Sequence, residues 1–133
     1  MTIYFYSARE QPYGCFSNFS AHGFELDSCW WYTSEHYFQA QKFISTNVDW
    51  FKKIQTVKAP KEAAKMGRSR KYPLRQDWEQ VKDDIMYQAV LSKFQTHQDI
   101  QKILLDTGEQ LIVENSPIDY YWGCGKDGSG KIN

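Results

Sequence analysis

The sequence predicts an α+β fold, a compact single domain that is predominantly helical with a few short strands. Three observations lead there. Five segments carry helix-start chemistry followed by apolar residues at helical spacing, between Ser34 and Gly108. The β-prone runs between them are only three to five residues long. At 133 residues, with no internal repeat and no linker, one domain is the default.

Thr2 to Tyr6 (TIYFY) is rich in β-branched and aromatic residues and reads as a first strand. Gln11 to Gly14 carries Pro and Gly and should turn. Cys15 to Ser20 (CFSNFS) is a loop in which Asn18 either offers its amide to a ligand or satisfies its own backbone. Phe24 to Leu26 and Cys29 to Tyr32 can pair as strands.

Ser34 to Phe43 (SEHYFQAQKF) is the most informative stretch. Thr33 or Ser34 can cap it, and Glu35 lies in the first turn, where the helix dipole favours a negative charge. Glu35, Gln39 and Lys42 share one stripe, while Tyr37, Ala40, Ile44, Phe38 and Phe43 make the rest apolar. Two readings are open: a wall between core and cleft, or a solvated stripe.

Asn47 should cap a helix reaching Ile54, with Trp50, Phe51 and Ile54 on one side. Ala59-Pro60 opens the next helix and Gly67 is placed to end it. From Lys58 to Arg75, seven cations face a single acid, Glu62. That concentration either holds a phosphate or forms an ordinary solvated face. Asp77 with Gln80 has the form of a capping box for a helix running to about Phe94, the expected main core helix. Its stripe is Trp78, Val81, Ile85, Ala89 and Val90, and Trp78 at its mouth faces a cleft or anchors the helix end. Thr96 and Asp99 repeat the capping signature, and the helix they open turns Ile100, Ile103 and Leu104 inward and ends near Gly108. Leu111 to Val113 reads as a buried strand. Beyond Ile118, Asp119 precedes Tyr120, Tyr121, Trp122 and four glycines, and these form either a binding rim or a plain turn.

Composition narrows the function classes. Formal net charge is zero, so capture of nucleic acid or membrane by bulk electrostatics is disfavoured and a local patch must do any such work. Aromatics make up 17% of the chain, enough for some to line a pocket. No membrane-length apolar run and no signal pattern stands in the sequence. Cys15, Cys29 and Cys124 form no paired motif, and His22, His36 and His97 show no metal spacing. A reducing cytoplasm, no metal and no cofactor are the expectations. Gly125 to Lys131 fits the spacing of a phosphate loop but lacks the following Ser or Thr and a helix to open.

The segments CFSNFS (15–20), SEHYFQAQKF (34–43), APKEAAKMGR (59–68), RQDWEQVK (75–82), LSKF (91–94), LLDTG (104–108) and DYYWGCGKDG (119–128) occur in the order seen in the YbiA-like family, also called NADAR, which the chain resembles over nearly its whole length. Two features differ from the common pattern: Tyr32 stands where many relatives have Pro, and the sequence ends at Asn133 where relatives continue with a further helix, so a domain without that helix is expected. The resemblance implies an N-glycosidase that hydrolyses phosphoribosylamino-pyrimidine intermediates of riboflavin synthesis and releases ribose 5-phosphate. Related domains remove ADP-ribose from guanine in nucleic acid, and a non-catalytic ADP-ribose or nucleotide-binding module is the third reading. Carried over by motif, the implied functional residues are Glu35, Trp78 and Asp119. In this scheme Glu35 and Asp119 are the catalytic carboxyl groups, and Trp78 stacks on the pyrimidine. Arg68, Arg70 and Lys82 meet the phosphate, Asn18 and Gln39 read hydroxyls or base edges, and Trp122 belongs to the rim.

Overall fold

The structure, a computed structural model, describes residues 2–114. In chain order it has β1 (Thr2–Phe5), a 3-10 turn (Tyr13–Phe16), β2 (Phe24–Leu26), β3 (Cys29–Trp31), α1 (Ser34–Gln41), α2 (Val48–Thr56), α3 (Pro60–Arg68), α4 (Trp78–Thr96), α5 (Gln98–Asp106) and β4 (Leu111–Glu114). This is the expected α+β composition, mostly helical with short strands. The described residues fall into two units, 2–20 with 98–114, and 21–97.

In the first unit β1 and β4 pair in parallel, Thr2 opposite Leu111 and Phe5 opposite Glu114. Ile3, Phe5 and Val113 are buried, and Phe5 meets Phe16 edge to face at 5.9 Å. The run Leu111 to Val113 was expected to be buried throughout, yet Leu111 is exposed. Leu111 and Val113 lie two apart and share one face of the strand, and the cover over that face reaches Val113 but not the strand's first residue. α5 buries Ile100, and Gly108 follows it with φ +60°, the left-handed conformation that stops a helix.

In the second unit β2 and β3 form an antiparallel hairpin with Phe24 opposite Trp31. Its two-residue turn has φ +55° at Asp27 and +64° at Ser28, the mirror-image turn that matches strand twist. Asp27 uses its carboxylate as well, accepting a hydrogen bond from the Tyr37 hydroxyl at 2.7 Å. α1 is the centre of this unit. All eight of its residues are buried, and α2, α3 and α4 pack against it. The shared core is Phe24, Trp31, Tyr37, Ala40, Phe43, Phe51, Ile54, Ala63 and Ala89.

Several expectations about the helices need correction. α4 is not the main core helix: it buries Trp78, Met86, Ala89, Lys93 and Phe94, while Val81, Ile85 and Val90 are half-buried. Asp77 does not form the capping box, because both its carboxylate oxygens are taken by Arg75, at 2.6 Å from Nε and 3.0 Å from Nη2. Thr96 does not cap α5. It ends α4, and its hydroxyl donates back to the Ser92 carbonyl at 2.7 Å. Gly67 does not end α3, which runs one residue further, to Arg68.

Candidate active site

The site is built on the first two turns of α1. Thr33 accepts the His36 backbone N–H and so starts the helix at Ser34. The same hydroxyl lies 2.7 Å from His36 Nδ1, and His36 Nε2 lies 2.6 Å from the Val57 carbonyl. A carbonyl only accepts, so Nε2 carries the proton and Nδ1 accepts from Thr33. Burial holds His36 below its ordinary pKa, with the Val57 bond opposing. His36 is thus a neutral, fully satisfied structural group, and Glu35 beside it points elsewhere.

The polar stripe of α1 is not solvated. Glu35, Gln39 and Lys42 are 9%, 6% and 8% exposed. Gln39 Nε2 donates to Glu35 Oε2 at 2.6 Å across one helical turn. One turn further, Lys42 Nζ donates to the Gly67 carbonyl at 3.4 Å. It also stands 5.7 Å from the ring centroids of both Phe38 and Trp78. Those two rings meet edge to face at 5.0 Å. A buried carboxylate, an amide and a buried ammonium are therefore aligned along one helix, walled by two aromatic rings.

The surrounding charges are positive. Lys42 is pushed down to about 8, first by burial and then by the charges of Arg70, Arg68 and Lys82, with only Glu35 pulling the other way. Three cations expected to meet a phosphate are thus close enough to act on a fourth. Arg70 is anchored by Nη1, which donates to the Gly67 carbonyl at 3.0 Å and the Ser69 carbonyl at 3.1 Å. Lys82 bonds Glu79 at 2.9 Å. An anion placed among them would relieve the repulsion between these cations.

The structure thus brings together Glu35, Gln39, Trp78, Arg68, Arg70 and Lys82. Trp78 is 6% exposed and meets Phe38 edge to face at the start of α4. Asn18 is half-buried in the loop after the 3-10 turn, in the other unit. Asp119 and Trp122 lie outside the described residues. Two residues were absent from the expected site. Lys42 was visible in the stripe with Glu35 and Gln39, but spacing alone did not say that this face is covered. Gly67 was assigned to helix termination, whereas its missing side chain makes room for Gln39: a Cβ there would collide with Gln39 Oε1 and stand 2.9 Å from its Cβ.

Residues 4–132 match the NADAR domain. The chain belongs to the NADAR family. Among its relatives, an N-glycosidase of Nostoc punctiforme is 53% identical over 131 residues, covering 98% of this chain and 83% of that protein. The N-glycosidase YbiA of Escherichia coli is 45% identical over 129 residues, 97% of this chain and 79% of that one. A maize chloroplastic riboflavin biosynthesis protein, PYRR, is 40% identical over 131 residues, but these make up only 21% of its length. The NMR structure of E. coli YbiA superposes with a TM-score of 0.88 at 44% identity, covering 98% of this chain and 76% of that one. The YbiA fold is therefore the fold of this NADAR chain.

Proposed function

We propose that this NADAR chain is an N-glycosidase that hydrolyses the bond between ribose C1 and the amino nitrogen of phosphoribosylamino-pyrimidines, releasing ribose 5-phosphate. The observation that carries the reading is the buried Glu35 carboxylate aligned on one helix with a buried ammonium that feels three further cations. Such a site matches a substrate with a phosphate at one end and a carbon that becomes positive at the other. The names of the Nostoc and E. coli relatives support the bond type. The maize protein's name supports the pathway from which the substrate is drawn.

Cleavage of the C–N bond gives C1 of the ribose oxocarbenium character. A fixed carboxylate such as Glu35 stabilises that charge in a site from which water is largely excluded. Water then adds to C1, its proton passing to a carboxylate, and the departing nitrogen takes up a proton as the bond breaks. Glu35 serves one of these roles and Asp119 the other. Arg68, Arg70, Lys82 and Lys42 hold the 5-phosphate and so fix C1 relative to Glu35. Trp78 and Phe38 close the wall beside Lys42 and limit its access to water. Asn18 and Trp122 complete the binding surface in this reading, Gln39 holds Glu35, and no metal or cofactor is called upon.

The test is a side-by-side incubation of the chain with phosphoribosylamino-pyrimidine and with DNA carrying ADP-ribosylated guanine, assayed for free sugar phosphate. Ribose 5-phosphate from the first is expected. Release of ADP-ribose from the second alone would replace this reading with a nucleic-acid glycohydrolase. Binding of either without product would replace it with a non-catalytic module.

A further inference from the structure

We propose that Gln39 is a positioning residue for Glu35, and that the bare Cα of Gly67 is the surface that holds Gln39 in place. The proposal rests on the reading of Glu35 as a catalytic carboxylate and adds how that carboxylate is set. Three observations carry it. Gln39 Nε2 donates to Glu35 Oε2 at 2.6 Å in a buried setting. Gln39 Oε1 is buried and has no hydrogen-bond partner. The Gln39 amide occupies the volume that a Cβ on Gly67 would fill.

These observations are linked by chemistry. An amide has one acceptor and one donor end, and the orientation here is fixed by the carboxylate, because a flipped Gln39 would set oxygen against oxygen. Oε1 must then point away from Glu35, toward α3. Any residue larger than glycine at 67 would push the amide off its seat. An unpartnered buried acceptor is destabilising. Groups of that kind are rare in folded proteins and call for a functional explanation. Here the opposite end of the amide is committed to Glu35, which leaves Oε1 turned away from it. Gly67 also accepts from Lys42 Nζ and Arg70 Nη1 through its carbonyl. One residue of α3 therefore sets both the group that orients the carboxylate and two of the cations assigned to phosphate. A shift of Gly67 would move C1 of the substrate and Glu35 relative to each other.

Among the described residues, Lys42, just past the end of α1, feels the charges of Glu35, of Arg68 at the end of α3, of Arg70 beyond it and of Lys82 on α4. α2 turns Phe51 and Ile54, both apolar, into the core. In this setting a donor on the Glu35 carboxylate favours its ionised form.

The experiment compares the parent chain with Gln39→Ala, Gln39→Glu and Gly67→Ala. The readouts are kcat and KM for ribose 5-phosphate release across pH, and the carbon NMR titration of the Glu35 carboxyl. In Gln39→Ala, kcat is expected to fall on the order of 100-fold with KM within about threefold, the size of effect that a misplaced catalytic group produces. The acidic limb of the rate profile and the Glu35 titration are both expected to move to higher pH. Gln39→Glu is expected to move them further, since a second carboxylate opposes ionisation of the first. Gly67→Ala is expected to reproduce the Gln39→Ala kinetics. If it instead fails to fold, the two Gln39 variants carry the test alone. A rise in KM with kcat retained would overturn the proposal, since Gln39 would then touch substrate directly. An unmoved Glu35 titration would overturn it too. A parent chain that turns over neither substrate, with the Glu35 titration still moved by Gln39→Ala, would sink the proposed function and leave the positioning role standing.

Discussion

At the scale of single residues, Lys42 shows how the site trades stability for chemistry. Its folded pKa of about 8 lies below the ordinary 10.5. The unfolded chain therefore binds more protons than the folded one between those values, and stability rises with pH across that window. At neutral pH the buried charge is carried at a penalty of roughly 3 kcal/mol. Lys42→Met is accordingly expected to raise the melting temperature at pH 7 and to weaken ribose 5-phosphate binding. Thermal melts from pH 7 to 10 should show the stability difference shrinking as pH rises past 8. Tyr37 acts in the opposite sense at the alkaline end. Burial and its bond to Asp27 push its hydroxyl well above the usual 10, so stability falls as pH climbs past that value in parent and variant alike. A variant that loses stability at pH 7 and binds ribose 5-phosphate as the parent does would remove Lys42 from the site. In the sequence, Lys42 stood plainly on the stripe with Glu35. What stayed hidden was the cover, because the covering groups come from Gly67 and Trp78, more than twenty positions away.

At the scale of elements, local chemistry was readable where the partner is also local. Asn47 caps α2, with its Oδ1 accepting from the Trp50 N–H at 3.0 Å, as the sequence indicates. Asn47→Ala is expected to lower unfolding free energy by about 1 kcal/mol in denaturant titration, with activity unchanged, since the residues α2 buries, Phe51 and Ile54, belong to the apolar core. The start of α3 at Pro60 and the Asp27-Ser28 hairpin follow equally local rules. Asp77 and Gly67 went astray for a common reason. Each satisfied a local rule and was claimed by something else: Asp77 by the bidentate Arg75 guanidinium, and Gly67 by a glutamine from another helix. A capping motif gives the side chain one option, and a charge-assisted pair nearby is a stronger one. His36 belongs to this scale as well. Its two ring nitrogens tie the start of α1 to the end of α2, through Thr33 and Val57. Because burial lowers its pKa, the unfolded chain takes up the proton first on acidification. Stability is therefore expected to fall below pH about 6.5, an effect His36→Phe would abolish along with the two hydrogen bonds.

At the scale of the whole molecule, the pairing that closes the described chain is the most distant in sequence. Thr2 lies opposite Leu111, and no local pattern could announce a parallel partner so far away. The strands themselves were legible from composition; their pairing was not. Two short strands alone are marginal, whereas α1 is buried along its full length. Hydrogen exchange is therefore expected to be slowest at the amides of α1 and measurably faster in β1 and β4. Equal protection of both would mean that these segments open together. The site follows the same division, since its carboxylate, amide and ammonium all ride on the best-covered helix. Rigid placement of a few polar groups is what a glycosidic site requires. The measurement that bears most directly on the proposed function is the rate of ribose 5-phosphate release from phosphoribosylamino-pyrimidine by Glu35→Gln at saturating substrate. Loss of turnover, with melting temperature and ribose 5-phosphate binding close to the parent's, is the expected result. Turnover at the parental rate would contradict it and remove Glu35 from the chemistry.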